Sequence, residues 1–226
     1  MPCACIRPLR SRLGPAIGLG WTEIAQFLKT TSRAETFSAA RDRALLCVAY
    51  DLMARRSELV ALNVEDLHFL DDGTGRALIR RSKTDQAGEG SVGYLSRATV
   101  REQRDWLVRA DIKHGAAFRR IIRGSFAAKA GVQTGRAGER LSADSIAPVF
   151  KGIAKWINMR PEMVTGVSGH SVKVGATQDL LSFNMDLPSV MQAGRWKSNR
   201  MPMRYGEHLL AARGAMARVA ELQGRD

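Results

Sequence analysis

The strongest constraint on the fold lies at residues 64–81. VEDLHFL and RALIRR each alternate apolar with polar side chains, and DDGTG divides them with the glycines a tight reversal needs. That pattern predicts a β-hairpin, and Ser91–Leu95 supplies a third strand. Elsewhere the apolar period is helical. Trp21, Ile24, Phe27 and Leu28 form a short amphipathic stretch. A second helix runs from a Ser38 cap through Leu45, Leu46, Ala49, Leu52 and Met53. Further helices are predicted over 97–110 behind Ser96, over 143–158, over 171–183, over 188–194 closing at Gly194, and over 208–223. The fold class is mainly α (α+β): a helical bundle with a small three-stranded antiparallel sheet on one side. Residues 1–19 read as an irregular tail or linker remnant, 20–226 as one domain, and the Gly-, Ala- and Arg-rich 123–140 as a mobile surface loop.

Charge narrows the partners. The 226 residues carry a formal charge of +13, so a polyanion is the expected partner and nucleic acid the first of them. Residues 97–123 contain eight Lys or Arg against three Asp or Glu, consistent with a phosphate-facing stretch. No uninterrupted apolar run of membrane-spanning length is present. Arg7, Arg10 and Arg12 interrupt any signal-peptide core, which makes the expected location cytoplasmic. Cys3, Cys5 and Cys47 have neither zinc spacing nor the look of a disulfide framework.

Four separated segments hold groups suited to one reaction. Tyr205 lies nine positions after Trp196 in GRWKSNRMPMRY, a phenol among cations and a candidate nucleophile for a phosphodiester. Such an attack needs positive charge on the non-bridging phosphate oxygens and a proton donor for the leaving oxygen. Arg55 opens RRSEL, Lys83 follows the second strand in RSKTD, and His170 and Lys173 share the first turn of a helix in SGHSVK. Singly, each has an ordinary reading: surface cations, a capping histidine, a core tryptophan.

Their order and wording resemble the catalytic domain of the tyrosine recombinases, the phage integrase family, over roughly residues 38–222. RRSEL resembles the family's first arginine motif, giving Arg55 and its associated acid Glu58. RSKTD is similar to the hairpin lysine segment, which implies Lys83 as general acid. VSGHSVKVGATQD resembles the H-x-x-R box through His170, VMQAGRW the segment carrying the family's histidine or tryptophan through Trp196, and MRY the nucleophile Tyr205.

The resemblance implies cleavage and rejoining of double-stranded DNA through a 3′-phosphotyrosine, with no metal and no other cofactor. It also implies tetramers on DNA joined through a C-terminal helix, for which Leu209, Leu210, Met216, Val219 and Leu222 are available. Members of the family usually carry an N-terminal DNA-clamp domain, which is expected to be absent from this sequence, as in a separated catalytic domain, a partner-dependent protein or a degenerate remnant. Lys173 stands where the box has its second arginine. An ammonium cannot reproduce the planar fork of a guanidinium, so slower cleavage is expected, with Lys173→Arg accelerating it. Two rival readings stay open: a catalytically weakened DNA-binding or recombinase-modulating relative, and a type IB topoisomerase-like relaxase.

Overall fold

A computed structural model describes residues 17–34, 36–80, 90–123 and 135–225. Lys83 and residues 124–134 lie outside the described residues. The first half builds a core around one helix. α1 (Trp21–Thr31) leads into α2 (Phe37–Asp51), then α3 (Arg56–Ala61) and the strands β1 (Leu67–Phe69), β2 (Gly75–Ile79) and β3 (Ser91–Leu95). α4 (Arg97–Arg109) follows and packs extensively on α2.

α2 is enclosed, with Ala44, Leu45, Leu46, Cys47, Val48 and Ala49 all buried. These six consecutive side chains leave the middle of α2 no polar face, and α1, α4, β3 and the later helix Ser171–Ser182 supply the walls. Its cap is Thr36, not Ser38. The Thr36 backbone is extended and its hydroxyl accepts from the Ala39 amide at 3.2 Å, whereas Ser38 is already helical.

The three strands pair antiparallel in the order β1-β2-β3, in register Leu67↔Ala77 and Gly75↔Leu95. The predicted three-stranded sheet is therefore present. Its first strand is shorter than the alternation indicated, because Val64–Asp66 forms a 3₁₀ turn.

The expected loop at 123–140 begins and ends in strand. β4 (Arg119–Arg123) pairs with β5 (Gly135–Arg140), aligning Ile121 with Ala137. An anchor holds the pair to the domain: the Arg140 guanidinium donates to Val60 O at 2.7 Å and to Asn63 Oδ1 at 2.6 Å. The β-branched Ile121 and Ile122 carried the strand signal, outweighed in the sequence by the glycines around them.

The second half is helical: α5 (Ile146–Trp156), α6 (Pro161–Gly166), α7 (Ser171–Ser182), α8 (Leu187–Gly194), α9 (Arg200–Tyr205), α10 (Glu207–Arg213) and α11 (Ala215–Leu222). Gly18 and Leu19 lie against α7. The Leu19 amide donates to Ser171 O at 2.9 Å, Leu19 is buried, and a Cβ at Gly175 would overlap the Leu19 carbonyl. The single helix expected at 208–223 is two. Gly214 is extended, breaking the run between α10 and α11. α10 packs on α7, while Met216 and Leu222 of α11 are exposed. Among the described residues no helix is long and apolar enough to cross a membrane.

Candidate active site

The C-terminal ends of two helices meet at the centre of the site. A helix end leaves carbonyls without intrahelical partners, and these attract cations. α2 ends through Leu52 and a left-handed Met53, φ 44°. α8 ends at Gly194 with Arg195 left-handed, φ 54° and ψ 45°. The predicted closure at Gly194 is present, and the position after it has arginine in the conformation that glycine usually takes, at a cost of about 1–2 kcal/mol. Gly194 is needed for another reason: a Cβ there would overlap the Trp196 ring.

Lys173 reaches both helix ends. Its Nζ donates to Met53 O and to Gly194 O, each at 2.8 Å, and lies 4.5 Å from the centre of the Trp196 ring. The residue is 4% exposed. An ammonium has three protons. Two are committed to carbonyls, and the indole face covers the group as well. Burial first, then the charges of Arg195 and Arg55, push the Lys173 pKa down to about 7, with Glu58 opposing.

The sign of the resulting pH dependence follows from proton counting. Between about 7 and the ordinary 10.5, the unfolded lysine holds a proton that the folded one has shed, so this group makes stability rise with pH across that window. The stability difference between the native protein and Lys173→Met should therefore grow from pH 7 to 9 in urea unfolding. A constant difference would show that the folded amine keeps its proton.

Glu58 organises the other cations. It sits in the first turn of α3 at 3% exposure, and each of its carboxylate oxygens carries a guanidinium. Arg55 Nη1 donates to Oε1 at 2.6 Å and Arg195 Nη2 to Oε2 at 2.8 Å, while the Arg55 amide donates to Oε2 at 2.9 Å. Burial raises the carboxyl pKa, but the Arg55 amide and the charges of Arg195 and Arg55 outweigh it and hold the group below the ordinary glutamate value. Arg195 Nη1 also donates to Leu52 O at 2.8 Å.

His170 precedes α7 and is exposed. Partial burial first, then the charges of Arg56, Lys173 and Arg55, lower its pKa, so the imidazole is neutral near pH 7. Tyr205 ends α9 with its ring edge-on to Trp196, centroids 6.3 Å apart. Its carbonyl accepts from Gln178 Nε2 at 3.1 Å. Burial raises the phenol pKa, while Arg204 and Arg55 work to lower it. Arg55 thus acts electrostatically on His170, Lys173 and Tyr205 together.

Of the residues singled out in the sequence, Arg55, Glu58, His170, Lys173, Trp196 and Tyr205 gather in this region, and Lys83 is outside the described residues. Arg195 was missed. Its only sequence signal was an arginine next to Gly194, at a helix end where glycine or asparagine is the usual residue.

The model of the family described as "Phage integrase family" matches residues 19–211. Recombinase cre of Escherichia phage P1 is 26% identical over 217 residues, 93% of this chain and 62% of that protein. An integrase/recombinase xerD homolog of Selenomonas ruminantium is 32% identical over 179 residues, 76% of this chain and 49% of that protein. The chain therefore spans 62% and 49% of the length of these two relatives. Among solved structures, XerH site-specific recombinase bound to palindromic difH substrate superposes with a TM-score of 0.63 at 19% identity, covering 90% of this chain and 54% of that one. XerA recombinase gives 0.59 at 15% identity, covering 85% and 60%. These structures share the fold.

Proposed function

The chain belongs to the phage integrase family, and on that premise we propose that it is a DNA strand transferase working through a phosphotyrosine. The observation that carries the reading is the grouping of the phenol of Tyr205 with Arg55, His170 and Trp196, drawn from four separate segments. In the proposed step the Tyr205 oxygen attacks the scissile phosphorus and the bond from phosphorus to the 5′ oxygen breaks. The leaving oxygen takes a proton from Lys83, a role that rests on the family resemblance. Neutral His170 accepts the phenol proton, which burial makes harder to remove. Arg55 meets the charge on the non-bridging oxygens, and the Trp196 indole packs beside the phenol. A hydroxyl from a second strand reverses the sequence.

Lys173 enters differently from the arginine of the H-x-x-R box. With its ammonium on two carbonyls it joins the ends of α2 and α8, so it places Arg55 and Trp196 and presents no fork to the phosphate. We read the chain as slower than a relative with arginine there. The same observation favours the second reading, a relative that binds DNA or modulates a recombinase without cleaving. Exposed Met216 and Leu222 on α11 suit packing against another subunit on DNA, which is the proposed route to a tetramer.

Incubation with nicked duplexes from a random-sequence pool separates the two readings. A denaturant-resistant adduct supports the transferase, and retention on DNA without an adduct supports the binding protein. In either case affinity should fall steeply with salt, log K declining by roughly 0.9 per log unit for each phosphate neutralised. A flat salt response would remove DNA as the partner.

A further inference from the structure

Resting on the transferase reading, we propose that Arg195 is the second phosphate-holding guanidinium of this site, in place of the arginine missing at position 173. Three observations carry it. First, one carboxylate holds two guanidiniums: Glu58 sets Arg55 on Oε1 and Arg195 on Oε2, which places two planar cations side by side. Second, Arg195 has donors to spare. Of its five N–H groups, one goes to Glu58 and one to Leu52 O, and the buried Nε has no partner among the described residues. The Nε is closed to solvent, so the N–H groups left for an incoming phosphate oxygen are the uncommitted ones on Nη1 and Nη2. Third, Arg195 occupies a left-handed position that favours glycine. A residue held in such a conformation points to a use for its side chain.

Lys173 completes the logic. Its Nζ already serves Met53 O and Gly194 O, so it supports the backbone from which Arg195 projects. The guanidinium has in effect been moved from α7 to the end of α8, and the shorter cation left behind closes the helix ends. Arg195 is 15% exposed at its side chain, open enough for contact with a ligand.

A double-mutant cycle tests this, with a second readout that needs no cleavage. With the random-sequence nicked duplexes, Arg195→Gly should form covalent adduct about 10²- to 10³-fold more slowly. Glycine relieves the backbone strain, so the thermal midpoint and the affinity for intact duplex report whether the variant is folded. In the Arg195→Gly background, Lys173→Arg should restore at least tenfold, and more than the same change gains in the native background. Equal gains in both backgrounds, or an unslowed Arg195→Gly, overturn the assignment.

The second readout is the Arg195 Nε–H resonance in ¹⁵N-labelled protein titrated with inorganic phosphate. It should shift in the native protein and be missing in Arg195→Gly, and an unmoved resonance overturns the assignment. A shifted resonance with no adduct from native protein retains Arg195 as an anion-holding residue and instead rejects the transferase reading.

Discussion

Tyr205→Phe is expected to eliminate the covalent protein–DNA adduct while leaving folding and DNA affinity within error of the native protein. The ring contact with Trp196 survives the change, and the backbone bond from Gln178 is untouched. The Tyr205 hydroxyl has no hydrogen-bond partner among the described residues, so its removal orphans nothing in the protein. The other two tyrosines serve as controls. Tyr50 donates its hydroxyl to Asp179 Oδ2 at 2.7 Å, and burial followed by that carboxylate raises its pKa strongly, which makes it a poor nucleophile. Tyr94 lies exposed on β3. Tyr50→Phe should lower stability by about 1 kcal/mol and leave the adduct intact. Gel analysis under denaturing conditions decides the matter. A persisting adduct in Tyr205→Phe would place the nucleophile elsewhere.

Glu58→Ala should cause the largest loss of stability of any change in the site, about 3–5 kcal/mol. The carboxylate is 2% exposed and neutralises two guanidiniums that are themselves only 17% and 15% exposed, so truncation strands both charges. It also removes the bond that ties the Arg55 amide to the first turn of α3. At this chain length the midpoint should fall by roughly 6–20 °C. Glu58→Gln keeps one acceptor oxygen and should fall less. The pH dependence has the opposite origin to that of Lys173. A carboxyl held below its ordinary value contributes stability that is present above the unfolded glutamate pKa and lost as pH falls through the folded one, so the gap between native protein and Glu58→Gln should narrow in acid. A gap constant down to pH 3 would mean that Glu58 is not the charge that holds the pair together.

The features legible in the sequence were those with a local physical cause. Alternation marked the three strands, and the helical period marked α4, α5, α7 and α8 to within a few residues. Arg55, His170, Trp196 and Tyr205 were found because motif wording survives without knowledge of the fold. What stayed hidden depended on contacts between distant segments. Thr36 rather than Ser38 caps α2 because of the path the chain takes into the helix. Arg140 fastens β5 to carbonyls about eighty residues earlier, which no window of sequence displays. Lys173 reads in the sequence as a weakened phosphate ligand, whereas in the fold the carbonyls of Met53 and Gly194 converge on it from 120 and 21 residues away. Arg195 was invisible for the same reason: its partners Glu58 and Leu52 belong to the other end of the chain.

The bond from the Leu19 amide to Ser171 O has a mechanical consequence. Ser171 is the residue next to His170, so a displacement of residues 17–19 is delivered to the imidazole over a lever one residue long. A pull on those residues would load that lever and shift the imidazole without touching the phenol.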